Sequence, residues 1–282
     1  MHELVTAQQR SNVLGVGVMP TTLDQAVATL ERWRDEGRRD YVCCVSVHGI
    51  VTAQRDPLVR DALNHAGLAT EDGVPLVWWS RWTGAPRARR VCGPDLLEEM
   101  CERAGARGHR HYFYGGTPET VELLVTRLRQ RYPALTIVGH RSPPFRPLTD
   151  EVDAAVVTEI NATMPDYVWI GLGMPKQEKW MASHVGRVEA VALLGVGAAF
   201  DFSAGTKLRA PRWMQRTGLE WLFRLICEPR RLARRYLIDN LLFIGYAFLQ
   251  VTGLRSYGRD WEGATGYRID RSVAKVDAVA AE

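Results

Sequence analysis

The side chains best suited to chemistry follow five short apolar segments, at the points where those segments end. They are Ser46 and His48, then Asp72, then Gly115, Gly116 and Thr117, then Gln177, and finally Asp201. If the apolar segments are parallel strands, these residues lie at one edge of a sheet, where ligands bind in open α/β folds. They would then line a single pocket that holds a carboxylate, an imidazole and glycine-rich turns.

Two of these groups suggest a particular chemistry. Asp72 lies just beyond a predicted strand and could act as a general base, although Asp-Gly before a proline is also a common turn. The Gly115-Gly116-Thr117 segment precedes a predicted helix, so its free N–H groups could bind an anion such as phosphate. An ordinary tight turn would have the same sequence, and both interpretations stay open at this point.

Arginines near the C-terminus form a second group of candidates. Arg224, Arg231 and Arg234 are separated by seven and three residues, which places them on one helix face if the proline between them keeps the register. They could bind a phosphate-bearing substrate or anionic lipid headgroups, and a solvated basic face is the alternative. Arg235 precedes an apolar stretch, residues 237–251, that is shorter than the ~20 residues of a membrane span. This stretch predicts an interfacial helix, or a helix packed on the core or on a partner subunit.

Several cofactor motifs are absent from the sequence. The GLG of residues 171–173 and the GVG of residues 195–197 lack the third glycine and the distant acidic residue of a dinucleotide fingerprint. No GxxxxGK(S/T) P-loop and no Asp-x-Asp triplet occurs. His109 and His111 are two ligands short of a metal site, and we predict that they lie at the solvent edge. We therefore expect no cofactor and no metal.

The chain alternates short β-branched and apolar segments with helical segments. This alternation predicts an α/β, Rossmann-like fold, a parallel sheet with helices on both faces. Strands are predicted over residues 41–46, 67–70, 111–114, 135–139, 167–171 and 190–196. Helices are predicted over residues 23–35, 50–66, 75–82, 94–104, 118–131, 150–162 and 176–184. Thr117 and Thr149 precede two of them as expected N-caps.

The composition is that of a globular protein, with 46% apolar and 24% charged residues among 282 and a formal charge of +4. Five cysteines without CxxC spacing predict reduced thiols, and we see no secretory signal, so we expect a cytoplasmic protein. We divide the chain into an α/β core (1–212), a helical membrane-docking appendage (213–252) and a tail (253–282) that we expect to be disordered. Within the appendage, residues 218–250 should form two helices that meet at Glu228-Pro229.

Long collinear motifs carry a resemblance to a known family. Within residues 14–249 the chain is similar to the WecG/TagA/CpsF family of bacterial glycosyltransferases, glycosyltransferase family 26. The motifs are SVHGIV, EDGVPLVW, RRVCGPDLL, FYGGTPET, GLGMPKQEKW, VGVGAAFDFSAG and RAPRWMQRTGLEWLFRLICEPRRLARRYL.

The resemblance implies an inverting, metal-independent transferase that acts at the cytoplasmic face of the cell membrane. It would move a sugar from a UDP-sugar onto a polyprenyl-diphosphate-linked saccharide in cell-surface polysaccharide biosynthesis. The family's appendage closes over the site and docks on the membrane, and its core tends to form homo-oligomers. We accordingly expect a UDP-sugar donor, a polyprenyl-diphosphate-linked acceptor and an anionic membrane surface as partners, and no nucleic acid.

The same resemblance assigns roles to individual residues. The family's proposed general base falls on Asp72, and Arg90 and Gln177 fall on positions near the nucleotide-sugar. The functional arginines of the appendage fall on Arg224, Arg231 and Arg234. The family's Thr-x-Asn motif corresponds to Ser46 and His48, so an imidazole replaces an amide. That departure leaves the identity of the sugar and the acceptor open.

Two other classes of function compete with this hypothesis. A non-catalytic, membrane-peripheral nucleotide-binding module could use the same fold, and Asp72→Asn separates the two because only an enzyme would lose turnover. A Rossmann-type oxidoreductase is disfavoured by the missing dinucleotide fingerprint.

Overall fold

The computed structural model describes residues 10–144 and 148–261, apart from the side chain of Arg216. The strands are β1 (Ser11–Val13), β2 (Val16–Val18), β3 (Asp40–Val45), β4 (Leu68–Glu71), β5 (Arg110–Gly115), β6 (Thr136–Arg141), β7 (Tyr167–Gly171) and β8 (Ala192–Gly195). The helices of the first half are α1 (Leu23–Asp35), α2 (Val47–Ala53), α3 (Pro57–Asn64), α4 (Val74–Trp82), α5 (Gly93–Arg107) and α6 (Pro118–Arg131). Those of the second half are α7 (Asp150–Ala162), α8 (Lys176–His184), α9 (Ala199–Ala204), α10 (Arg212–Thr217), α11 (Glu220–Cys227) and α12 (Pro229–Val251).

Six parallel strands form the central sheet, in the order β4-β3-β8-β7-β5-β6. Successive side chains of a strand point to opposite faces, so each strand contributes to two hydrophobic cores. In β7, Val168 packs into one core and Trp169 into the other. In β8, Leu193 and Leu194 divide in the same way. Helices cover both faces, which confirms the predicted α/β, Rossmann-like fold, and the carboxyl ends of all six strands share one edge.

Local capping signals determine where several helices begin. Thr117 and Thr149 accept hydrogen bonds from backbone N–H groups of α6 and α7, as predicted. One helix was predicted over residues 50–66, but the structure has two, α2 and α3. Asp56 caps α3, and Pro57 occupies its first turn. Proline is favoured at that position because its missing N–H is not needed there.

The hairpin of β1 and β2 was not predicted. Its two-residue turn is formed by Leu14 and Gly15, which have φ angles of 52° and 80°. Two-residue hairpin turns require such left-handed conformations, and a leucine tolerates them poorly. Long-range hydrogen bonds hold Leu14 in place, because Gln250 accepts from its N–H at 2.8 Å and Gln54 donates to its carbonyl at 2.8 Å.

The two C-terminal helices, α11 and α12, meet at Glu228 and Pro229, as predicted. Helix α12 packs along α2, and Phe243 joins the core. Within the described ranges, no helix is both long and apolar enough to cross a membrane. Residues 253–261, the start of the tail that we expected to be disordered, contact the hairpin, where Asn12 donates to the carbonyl of Tyr257 at 3.0 Å. The remainder of that tail lies outside the described residues.

Candidate active site

A cavity of about 670 Å³ lies at the carboxyl ends of β3 and β4, beneath α4, α11 and α12. Its volume is within the range of small-molecule sites. The cavity walls combine charged groups with aromatic and aliphatic side chains. The lining includes Ser46, His48, Asp72, Trp78, Trp82, Arg90, Glu220, Trp221, Arg224, Arg235, Asp239, Phe243 and Ile244.

The pairing of β3 with β4 brings two of the predicted strand-end groups together. Ser46 follows β3 and caps α2, which places His48 in the first turn of that helix. Asp72 follows β4, and its N–H donates to the carbonyl of Val45 at 2.9 Å. Of the single pocket predicted from five strand ends, the structure therefore assembles the part that belongs to β3 and β4.

Arg90 holds the carboxylate of Asp72 and connects it to the C-terminal helices. Its Nη2 donates to Oδ1 of Asp72 at 2.9 Å, and its Nη1 donates to Oε2 of Glu220 on α11 at 2.7 Å. Burial raises the pKa of Asp72 above its ordinary value, and the charge of Arg90 offsets only part of that rise. The side chain of Asp72 keeps 30% of its surface exposed toward the cavity. A carboxylate with a raised pKa and open access suits a general base.

His48 also connects the core to the C-terminal helices. Its Nδ1 lies 2.5 Å from Oδ2 of Asp239 on α12. Burial lowers the pKa of His48, the nearby charge of Arg235 adds to this effect, and Asp239 opposes it. The imidazole is therefore neutral near pH 7, with the Nδ1 proton directed to the carboxylate and Nε2 left as an acceptor.

The arginines of the C-terminal helices divide differently from the predicted arrangement. Arg224 and Arg235 line the cavity, whereas Arg231 and Arg234 lie on the exposed side of α12. The resemblance assigned Arg234 to the site, but the structure places Arg235 in the cavity and leaves Arg234 exposed outside it. The reason is that α12 is a new helix that begins at Pro229, so the helical register of α11 does not continue into it. The face of α12 toward the cavity carries Arg235, Asp239 and Phe243 at four-residue intervals.

The other predicted site residues lie outside the cavity. Gly115 approaches the backbone of Gly171 so closely that a Cβ would stand 2.5 Å from its carbonyl carbon. Gly116 has a φ of 69°, and Thr117 caps α6. Gln177 uses its amide within the protein, donating to Glu178 at 2.9 Å and accepting from the N–H of Gly173 at 3.2 Å.

Asp201 forms an ion pair with a lysine. Nζ of Lys207 lies 2.9 Å from Oδ2 of Asp201 and 3.3 Å from Oε1 of Glu228. Glu228 in turn pairs with Arg231. Asp201 and Arg231 thus belong to an ion-pair network where α9 meets the start of α12.

Histidines offer no metal site in the described part of the chain. His109 and His111 are buried, which corrects the prediction that they lie at the solvent edge. Burial lowers the pKa of His111 to about 3, so its ring is neutral and its Nδ1 accepts from Nε1 of Trp169 at 2.9 Å. No cluster of three or more His, Cys, Asp or Glu side chains that could hold a metal occurs among the described residues.

Several cavity residues were not identified from the sequence. Glu220 and Asp239 come from α11 and α12, far along the chain from the groups that they contact. Trp78 and Trp82 stand four residues apart on α4, directly after the Asp-Gly motif. Their spacing, one helical turn beyond a candidate base, was the signal available in the sequence.

Comparisons with known proteins identify the family of the chain. The family described as "Glycosyl transferase WecG/TagA/CpsF family" matches residues 11–257. The N-acetylglucosaminyldiphosphoundecaprenol N-acetyl-beta-D-mannosaminyltransferase of Staphylococcus aureus (strain NCTC 8325 / PS 47) is 29% identical over 237 residues, covering 82% of this chain and 91% of the relative. The same enzyme from strain MRSA252 is 28% identical over the same coverage. The chain belongs to the WecG/TagA/CpsF family of glycosyl transferases.

Proposed function

We propose that this glycosyltransferase moves a hexosyl residue from a UDP-sugar onto a polyprenyl-diphosphate-linked saccharide during synthesis of a cell-surface polysaccharide. The observation that carries the proposal is the cavity itself, whose lining combines the carboxylate of Asp72 with three arginines and with apolar side chains. The curated relatives are named for a transfer onto N-acetylglucosaminyldiphosphoundecaprenol, a polyprenyl-diphosphate-linked sugar. Inversion and metal independence are further parts of the proposal.

Asp72 is the proposed general base. In an inverting transfer the acceptor hydroxyl attacks the anomeric carbon as the bond to the diphosphate breaks, and the base takes the hydroxyl proton. The ion pair with Arg90 fixes the carboxylate through Oδ1 and leaves the exposed part of the side chain for the substrate. Ser46 and His48 are proposed to contact the sugars, because they line the same cavity next to Asp72.

Arg224 and Arg235 are the proposed partners of the acceptor's diphosphate. Nε of Arg235 is buried and makes no hydrogen bond within the described structure, so the side chain has lost water without a full set of partners. Burial lowers the pKa of Arg235, and the charge of Arg224 adds to the shift. An anion bound between the two guanidinium groups would relieve both penalties, and it would do so without a metal.

The exposed side of α12 is the proposed membrane contact, at the inner face of the cell membrane. Leu237, Leu241, Ile244, Phe248 and Val251 follow one another at intervals of three and four residues, and each exposes more than half of its surface. Arg231 and Arg234 lie at the N-terminal end of this stripe. Apolar side chains next to basic ones are typical of a helix that lies in the headgroup region.

A transfer assay tests the proposed function. A panel of UDP-sugars is offered with a short-chain polyprenyl-diphosphate-linked acceptor, with and without EDTA, and product formation is expected in both conditions. Asp72→Asn should lower turnover by roughly two to four orders of magnitude, the usual effect of a positioned base. UDP binding, measured by calorimetry, should persist in this variant. Near wild-type turnover in Asp72→Asn would contradict the assignment of the base, and loss of transfer in EDTA would contradict metal independence.

A further inference from the structure

Helix α4 carries two tryptophans that a soluble protein would normally cover. Trp78 and Trp82 expose 62% and 67% of their surfaces, although tryptophan is among the most apolar side chains. They stand one turn apart on the same face of α4, while Leu76, Val77 and Ser80 on the opposite face are buried. The helix begins two residues after Asp72, so its exposed face leads directly away from the proposed base.

These indoles form one wall of the cavity entrance. Trp221 of α11 and Ile244 of α12 also line the cavity and are 41% and 63% exposed. We call Trp78, Trp82, Trp221 and Ile244 the apolar mouth. Deeper in the same cavity lie Arg235 and the charged groups described above. The cavity therefore has charged groups inside and apolar side chains at its entrance.

We propose that the apolar mouth is a binding site for the first isoprenoid units of the acceptor's lipid chain. This inference rests on the proposed function, because it names the part of the acceptor that occupies the entrance. In the acceptor, a dianionic diphosphate diester joins the saccharide directly to an unsaturated hydrocarbon chain. The charged diphosphate would lie near Arg235, and the hydrocarbon chain that follows it would lie against the indoles at the entrance.

The dimensions of α4 limit how much of the chain can be bound. From Val74 to Trp82 the helix advances about 12 Å, at 1.5 Å per residue. That length covers only the first few isoprenoid units of a long polyprenyl chain. The rest of the chain would remain in the bilayer that the exposed stripe of α12 is proposed to contact. We therefore expect affinity to rise over the first few isoprenoid units and then to level off.

Binding of a minimal lipid diphosphate tests the site without any sugar transfer. The probes are inorganic diphosphate and farnesyl diphosphate, titrated calorimetrically into the full-length protein with saturating UDP and without membranes or detergent. The wild-type protein should bind farnesyl diphosphate at least about tenfold more tightly, because apolar surface is buried against the indoles. Trp78→Ala combined with Trp82→Ala should reduce that preference to about twofold, with the affinity for inorganic diphosphate unchanged.

Trp213 provides a matched control. It is 61% exposed on α10 and is not among the cavity residues, so Trp213→Ala removes an exposed indole of the same kind. This variant should keep the wild-type preference for farnesyl diphosphate. Trp78→Ala alone provides a milder variant that leaves the edge-to-face contact between Trp79 and Trp82 intact. It should show an intermediate preference, and circular dichroism should verify that all variants are folded.

Two outcomes would overturn the proposal. The first is a wild-type protein with no preference for farnesyl diphosphate. The second is a doubly substituted protein that keeps the preference. If that protein also loses affinity for vesicles of anionic and zwitterionic phospholipid, the indoles contact the bilayer instead. Since no donor sugar is used, failure of the transfer assay would not produce any of these results.

Discussion

Arg90 determines the charge state of the proposed base. Its guanidinium group contacts both the backbone carbonyl and the carboxylate of Asp72, and it reaches Glu220 on the far side. The two carboxylates together raise the pKa of Arg90 despite its burial, so it stays charged at every pH of interest. A permanent cation here lowers the pKa of Asp72 and opposes the effect of burial.

Replacing Arg90 should move the pH profile of the enzyme. Arg90→Gln removes the cation, so the pKa of Asp72 should rise further above its ordinary value. The base must be ionised, and activity is lost as the pH falls through that pKa. The acid limb of the kcat/KM profile should therefore move to higher pH in Arg90→Gln. Arg90→Lys keeps the charge and should move the acid limb less. An acid limb that does not move in Arg90→Gln would mean that Asp72 does not control this limb.

Substitutions of Arg234 and Arg235, which are neighbours on α12, should have different effects on KM for the acceptor. Arg235→Ala removes a guanidinium group that lies in the cavity, and we expect KM for the acceptor to rise roughly tenfold to a hundredfold, as for a lost charged hydrogen bond. Arg234→Ala, one residue earlier and exposed, should leave KM within about twofold on a soluble acceptor. Steady-state kinetics of both variants measures the two changes in KM. Equal effects would contradict the cavity assignment.

Residue types near the site could be predicted better than their orientation. Asp72, Ser46 and His48 were singled out because strand ends are recognisable, and the structure places them in one cavity. The orientation of Arg235 could not be predicted, because the rotation of α12 depends on how it packs against α2. The pairing of His48 with Asp239 spans 191 residues and has no local signal.

At the scale of elements, α12 and the hairpin stabilise each other. Gln250, near the end of α12, donates to the carbonyl of Asn12 at 3.0 Å and accepts from Leu14. Trp79 of α4 donates to the same carbonyl at 3.1 Å. The pair of C-terminal helices is thus attached to the core at both ends, through Arg90 and Glu220 at the start of α11 and through Gln250 at the end of α12. This attachment holds Asp239 and Arg235 over the cavity.

Gln250→Ala should loosen this attachment. The substitution leaves the N–H of Leu14 without its acceptor in a strained turn, which should lower the free energy of unfolding by roughly 1–3 kcal/mol. Chemical denaturation measures the change. Thr252→Ala is the control, because the hydroxyl of Thr252 bonds only to carbonyls of its own helix. Equal stability of the two variants would show that the hairpin contact does not support α12.

The elements that the sequence predicted were those with a clear local period. The six sheet strands are apolar and separated by helices, and six of the seven helices predicted within the core have caps or prolines at their starts. The hairpin was not predicted because a leucine occupies a left-handed turn position. Two glutamines that are distant in the sequence hold this leucine by hydrogen bonds. The break between α2 and α3 carried a local signal, Asp56-Pro57, inside a helical pattern that continued on both sides.

At the scale of the whole molecule, charge and apolar surface are combined at one place. The cavity entrance, the exposed stripe of α12 and the basic residues Arg231 and Arg234 all belong to the C-terminal helices or border them. A lipid-linked acceptor is presented at a membrane surface, so an entrance bordered by the proposed membrane contact would meet it without extracting its chain from the bilayer. Binding to the membrane and binding to the acceptor should therefore be separable by substitution.

Charge reversal at Arg234 should affect only the membrane contact. A basic residue near an anionic surface contributes about 1 kcal/mol, so Arg234→Glu, which also introduces repulsion, should weaken binding to anionic vesicles roughly tenfold. The difference from wild type should disappear at 1 M salt, where the Debye length is about 3 Å. Arg129→Glu makes the same charge change at an exposed site on α6 and should bind vesicles nearly as well as wild type. Turnover on a water-soluble acceptor should be unchanged in both variants, because neither side chain lines the cavity. If Arg234→Glu binds anionic vesicles as Arg129→Glu does, the basic end of α12 does not face the membrane.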